Sequence, residues 1–333
     1  MKRNRDVWLL LSLLILLIFM SIWSVFVGDV SISYDDVQKI FKGETLDNPA
    51  WSYIIEGRLN RTIMALLGGG ALSVTGLILQ VFFKNPLAGP GVLGISSGVT
   101  LGVAIVVLGG FSLVGLGSSL SLISSGLIGA LVILSILMFI SKYIKHSVTL
   151  LIVGLMLSYF SSALVSALYH WADLEQSRQF IVWGLGSFDG VSTYNIQWLA
   201  PLVILTMVSL IIIVKPLNAL VLGEDYAKSL GVNINTTKVI IILISSLLTA
   251  VITVYCGPIA FVGIAVPQIV RGLTKAKSHQ VVLPIAIIFG ALFTLSADLV
   301  IRLSGNVLPL NTVTSLIGAP IIVWTIIRMN KRG

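Results

Sequence analysis

The stretch "FKNPLAGPGVLGISSG", residues 83–98, sets two prolines and four glycines into a chain that is otherwise largely apolar. Proline fixes φ and lacks the N–H that a helix interior uses, while glycine lets two backbones approach closely. Pro86 and Pro90 therefore forbid one continuous helix, and the stretch is a tight turn between two of them. On either side the chain is oil: "ALLGGGALSVTGLILQVF" (65–82) precedes the turn and "GVTLGVAIVVLGG" (98–110) follows it.

That pattern holds throughout. Of 333 residues, 56% are hydrophobic and 10% charged, with a mean hydropathy of +1.04; soluble domains carry roughly 25% charged residues. Apolar runs long enough to cross a ~30 Å hydrocarbon core recur at about 7–27, 60–82, 92–110, 118–140, 147–168, 194–214, 236–256, 259–273, 281–301 and 309–328. The fold class is all-α, a polytopic membrane protein of about ten transmembrane helices. The eighth run is short, holds Pro267 and follows "CGPIAF", the pattern of a broken or re-entrant element. The apolar part of the N-terminal stretch is too long for a signal peptide and no small-x-small site follows, so it is a retained first span.

Charge tests the count. With ten spans and an inner N-terminus, the inner face receives Lys2, Arg3, Arg5, Lys84, Lys142, Lys145, Lys215, Lys228, Lys238, Arg271, Lys275, Lys277, Arg328, Lys331 and Arg332, 15 of the 21 basic residues. The outer face keeps Lys39, Lys42, Arg58, Arg61, Arg178 and Arg302. Acidic residues divide the other way, with Asp29, Asp35, Asp36, Glu44 and Asp47 in the first outer loop. The positive-inside rule thus supports both count and orientation, with both termini cytoplasmic. The net charge of +8 needs no nucleic-acid partner.

The third span carries Gly94, Gly98 and Gly102, and the second Ala65, Gly69 and Ser73, each set on one helical face. Small residues at this spacing let membrane helices pack closely. The chain has no phosphate-cradling G-x-x-x-x-G-K-[ST] motif and no H-E-x-x-H or G-x-S-x-G. Its single cysteine, Cys256, and its three dispersed histidines offer no metal-ligand spacing. Asp298 is the clear carboxylate within a span, and Arg302 lies one turn on, where the pair neutralises itself. A transporter without a nucleotide site or an ion-coupling site takes its energy from a partner.

The longest inner segment is 215–238. Within it "NALVLGEDYAKSLG" (218–231) is expected to form one short amphipathic helix, with Leu220, Ala227 and Leu230 on one side, Glu224 and Lys228 on another, and Gly231 as its stop. Outside, "YHWADLEQSRQFIVWGLGSFDG" (169–190) gathers Tyr169, His170, Trp171, Arg178 and Trp183. A flat aromatic ligand could stack there beside Arg178; an interfacial aromatic belt gives the same composition. His170, Arg178 and Trp183 are the candidates for a substrate pathway.

Five segments in order, "RLNRTIMALLGGGALSVTGLILQVFFKNPLAGPGVLGISSG", "LGEDYAKSLGV", "GPIAFVGIAVPQIVRGL", "SADLVIRLSG" and "LPLNTVTSLIGAPIIVW", closely resemble the FecCD family, membrane permeases of ABC importers for ferric siderophores, haem and cobalamin. The resemblance implies a single transmembrane permease domain (1–333) of type II importer architecture, with spans 2–5 and 7–10 as an inverted pseudo-repeat. Implied partners are a second permease subunit, two ATPase subunits and an extracytoplasmic substrate-binding protein, in the cytoplasmic membrane of a prokaryote. ATP would be used by the ATPase, with no cofactor bound by this chain. By the same resemblance Arg58, Arg61 and Arg302 meet the binding protein. Leu222, Gly223, Glu224, Asp225, Ala227 and Gly231 seat on the ATPase, and Asn85, Leu87, Ser147 and Val148 line the inner gate.

Two positions depart from the family pattern. Asn60 replaces a proline at the expected start of the second span, where a polar N-cap residue can serve; Gln268 stands where relatives carry histidine. A ferric siderophore is the expected substrate, with haem and cobalamin the alternatives within the family. A stand-alone secondary carrier is the competing class.

Overall fold

A computed structural model describes residues 2–42, 48–111, 118–144, 146–274, 276 and 278–330. Lys145, Lys275, Lys277, Lys331, Arg332, Glu44 and Asp47, all counted in the charge map, lie outside them. The described chain is helical: α1 (Lys2–Phe26), α2 (Tyr34–Lys42), α3 (Ala50–Phe82), α4 (Ile95–Val107), α5 (Ser118–Ser141), α6 (Ser147–Trp171), α7 (Leu174–Gly184), α8 (Thr193–Ser209), α9 (Val214–Leu220), α10 (Glu224–Ser229), α11 (Ile234–Cys256), α12 (Val262–Leu273), α13 (His279–Leu303) and α14 (Leu310–Asn330). Seven stretches among the described residues are long and apolar enough to span a membrane, and three shorter apolar helices, in α4, α12 and α14, complete the ten expected.

The interior is built on α3, whose most apolar window is 89% buried, against 17% for α1. Its small residues account for that. A Cβ placed on Gly69 would lie 2.1 Å from the Gly290 carbonyl oxygen, and one on Gly76 would lie 1.6 Å from that of Gly263. α3 thus touches α13 and α12 backbone to backbone, as small-residue faces allow in lipid. Ser73 and Thr294 add cross-helix bonds, to Ala286 O and Ala65 O, both at 2.7 Å. The face Gly98–Gly102 of α4 meets α5 in the same way, at Gly129 and Ser125.

The architecture is an interlocked inverted repeat. α3 packs on α12 and α13 as α11 packs on α4 and α5, while α4 touches α5 and α6 as α12 touches α13 and α14. α3 and α11 run in opposite directions, because the start of one and the end of the other meet a single loop. Arg61 Nη1 bonds Asp189 at 2.6 Å, and the Ser187 N–H donates to Cys256 O at 2.9 Å.

Two of the short helices, α4 and α12, each follow a break in the bundle. The chain leaves α3 through Lys84 (φ +48) and re-enters helix at Gly94 (φ +76); it leaves α11 through Gly257 (φ +71) and re-enters at Phe261 (φ +66). Non-helical backbone at membrane depth needs partners within the protein. Asn311 supplies them at the second break, its side chain accepting from the Ala260 N–H (3.0 Å) and donating to Gly184 O (3.1 Å). The broken element expected there is therefore present, at "CGPIAF" (256–261), while α12 runs on through Pro267.

Three expectations change. α3 starts at Ala50, ten residues before the predicted span, so Asn60 is no N-cap and instead donates to Thr193 Oγ1 at 2.9 Å. The amphipathic helix over 218–231 is two helices, α9 and α10, because Gly223 adopts φ +122 between them. Leu230 does not share the buried side of Leu220 and Ala227; it is exposed.

Candidate functional site

At one end of the bundle, two arginines meet one buried carboxylate and a third lies beside them. Asp298 on α13 accepts from Arg61 Nε at 2.6 Å with one oxygen and from Arg302 Nε at 2.7 Å with the other. Arg302 also donates to Ser24 O (2.7 Å), tying α1 to α13. Arg58 donates to Val25 O (3.0 Å) and Val30 O, and lies so flat on Gly28 that a Cβ there would sit 2.6 Å from its Nη2. All three arginines, expected to face a partner, are less than a tenth exposed. They still line a cleft of about 290 Å³ with Asp29, Asp189 and Asn306. Three guanidinium groups stand there against three carboxylates, Asp29, Asp189 and Asp298, so the wall is a balanced cluster of charges. The Asp189 side chain, 58% exposed, is the loosest member.

At the opposite end lies the turn quoted first. Asn85 caps it: its side-chain oxygen accepts from the Leu87 N–H at 2.9 Å, while its own N–H donates to Gln80 O. Gln268 on α12 donates from Nε2 to Gln80 Oε1 and to Pro86 O, both at 2.9 Å. Gln80 in turn reaches Ile264 O at 3.2 Å. Two amides thus clamp the turn to α12, and Leu87 stays exposed at its tip.

The loop helix α10 abuts the start of α6. Ser147, its first residue, donates from Oγ to Glu224 Oε1 at 3.2 Å, and Val148 beside it is exposed. The structure therefore joins one expected gate residue to one expected coupling residue. Among the described residues no hydrogen bond links Ser147 or Val148 to Asn85 or Leu87. Ala227 is fully buried and Gly231, at φ +82, ends the helix; Leu222 and Tyr226 are exposed, Asp225 pairs with Lys228 at 3.3 Å on the surface, and Gly223 makes the bend. Lys238 anchors the end of α5, donating to Ser141 O at 2.6 Å.

The aromatic stretch divides. Trp183 turns inward, tilted against Phe180 (5.9 Å between centroids), which meets Tyr169 edge-on at 5.5 Å. That cluster seats α7, whose start carries an Asp173–Gln176 capping box. His170, Trp171 and Arg178 face outward.

Residues 14–328 match the FecCD transport family. The chain belongs to that family. It is 32% identical to the hemin transport system permease protein HmuU of Yersinia pestis, covering 96% of this chain and 95% of that one. It is also 32% identical to the vitamin B12 import system permease protein BtuC of Salmonella typhi, covering 98% and 97%. A solved inward-facing metal-chelate-type ABC transporter superposes with a TM-score of 0.82 at 29% identity, over 96% of this chain and 99% of that one. This FecCD protein is a multi-pass membrane permease of a bacterial ABC importer, and is not itself an enzyme.

Sequence inspection missed four members of this FecCD permease's polar framework: Gln80, Asp189, Asn306 and Asn311. Only Gln80 left a signal, a buried amide in an otherwise apolar span. The others sit in or beside loops, and their partners on other elements lie 51 to 277 positions away.

Proposed function

We propose that this permease translocates a metal already wrapped in an organic chelate, a ferric siderophore, handed to it by a binding protein at the arginine end and driven by ATPases that grip α10. Haemin and vitamin B12, named for two relatives, are likewise metals closed in organic rings, and the similar solved transporter is of metal-chelate type. The observation that carries the reading is the Ser147–Glu224 bond: it couples an exposed loop helix to the first turn of a spanning helix, so a push on α10 reaches α6. Arg58, Arg61 and Arg302 in the cleft wall offer cations to carboxylates on the binding protein, which can replace the loosely held Asp189, and such pairs steer and orient docking. In this reading α10 and both termini face the cytoplasm, a second permease subunit completes the pore, and the turn around Leu87 gates its exit.

The test is uptake into proteoliposomes holding the permease, its ATPase and its binding protein, offered a ferric hydroxamate, haem and cobalamin in turn. Accumulation of the ferric hydroxamate that needs ATP is the expected result. Uptake of haem or cobalamin instead would reassign the substrate; accumulation on an ion gradient without ATP would overturn the reading.

A further inference from the structure

We propose that the α10 end of the bundle holds a site for one anionic phospholipid, its phosphate in a basic cavity and an acyl chain in the apolar groove beside it. The cavity, about 660 Å³, lies between the end of α3, α9 and the α12–α13 junction, and Lys84, Arg271 and His279 line it. Among the described residues no carboxylate lines it. Among the described residues, neither the Lys84 ammonium nor the Arg271 guanidinium has an ion-pair or hydrogen-bond partner, so two cations converge on one space with nothing to neutralise them. Lys84 is held there by a left-handed backbone at the end of α3.

His279 is oriented by Asn218. One oxygen, Asn218 Oδ1, takes both the His279 backbone N–H (2.8 Å) and ring Nδ1 (2.7 Å). An amide oxygen only accepts, so Nδ1 carries the proton and Nε2 of the neutral ring is an acceptor, which suits a headgroup hydroxyl such as that of phosphatidylglycerol and leaves the phosphate to Lys84 and Arg271.

His279 is also a wall of a second hollow. A groove of about 760 Å³ runs along α8 and α13 over Met207, Ile211, Leu283 and Ile287, with Lys215 also in its lining. A surface that is oil along its length and cationic at one end has the polarity of a phospholipid, and basic pockets between membrane helices are where acidic headgroups bind. A free phosphate would satisfy the cavity but leave the groove without a role.

The test is native mass spectrometry of the purified full chain with added phosphatidylglycerol or phosphatidylcholine, with inorganic phosphate as competitor. One phosphatidylglycerol should be retained, with phosphatidylcholine at least about tenfold weaker. Lys84→Gln with Arg271→Gln should weaken phosphatidylglycerol roughly 30-fold. Met207→Trp, which fills the groove without touching charge, should weaken both lipids. A thermal unfolding trace checks that each variant folds; if the double variant does not, the single ones should each read roughly fivefold. Equal retention of the two lipids, or binding indifferent to the charge variants, would overturn the site. Displacement of the lipid by millimolar inorganic phosphate would also overturn it and give the cavity to a free anion.

Discussion

The Ser147 hydroxyl and the Glu224 carboxylate, 77 positions apart, meet at 3.2 Å where the loop helix α10 touches the first turn of α6. Hydrogen bonds to a charged group contribute about 1.5–3 kcal/mol when shielded from water, and this one is partly so. Ser147→Ala should therefore leave the fold intact but loosen α10 from α6. Uptake per ATP hydrolysed should fall several-fold while the ATPase rate of the assembled complex holds. Parallel assays of uptake and phosphate release read this directly; an unchanged ratio would place the coupling elsewhere.

Asp298 serves two guanidinium groups from the bundle interior. Removing one partner of a buried ion cluster leaves charge uncompensated, at about 3–5 kcal/mol. Asp298→Asn should lower the unfolding free energy of the detergent-purified permease by that much, read from denaturant titration. Asp189→Asn, at an exposed carboxylate, should change it by about 1 kcal/mol or less.

Gln268 holds the turn at Pro86 and the amide of Gln80 together. Gln268→Ala strips both bonds and leaves Gln80 Oε1 without this donor, a loss of about 1–3 kcal/mol. The turn should then move independently of α12, seen as faster thiol labelling of a cysteine placed at Ala88, a buried position of that turn. Gln268→His, which keeps one ring N–H, should restore part of the protection.

Two glycines on α3 make a paired control. Gly76→Ala drives a methyl into the Gly263 backbone at 1.6 Å, while Gly57→Ala meets nothing within 4 Å. The first should cost at least about 1–3 kcal/mol or prevent folding; the second should be neutral or slightly stabilising, since alanine is the better helix former. Yield and thermal stability of the two variants distinguish them.

Hydropathy made the ten spans legible, because each run had to be long and apolar to cross lipid. The Asp298–Arg302 pair was legible for a local reason, four residues on one helical face. Arg61 joining it across 237 positions was not, since only the packing of α3 on α13 brings them together. The start of α3 lies earlier than the apolar run places it because Glu56, Arg58 and Arg61 interrupt the hydropathy while the helix continues through them, covered in part by the N-terminal region through bonds such as Arg58 to Val25 O. The segment "CGPIAF" announced the break before α12, but the asparagine that satisfies it, Asn311, sits in another helix. Gly231 marked the end of α10 correctly, whereas the bend at Gly223 turned Leu230 away from the face its spacing assigned it.

At the centre stands ATP-driven movement of α10, passed to α6 through Glu224 and Ser147 and opening the inner end of the permease at the turn around Leu87. Cys256 is the chain's single cysteine and is buried, so a cysteine placed at Leu87 reports alone. The decisive measurement is its thiol-labelling rate in the assembled, reconstituted importer with and without ATP. The rate should change several-fold on adding nucleotide and lose that response when Glu224→Ala is introduced. A rate indifferent to nucleotide in the intact complex would contradict the account.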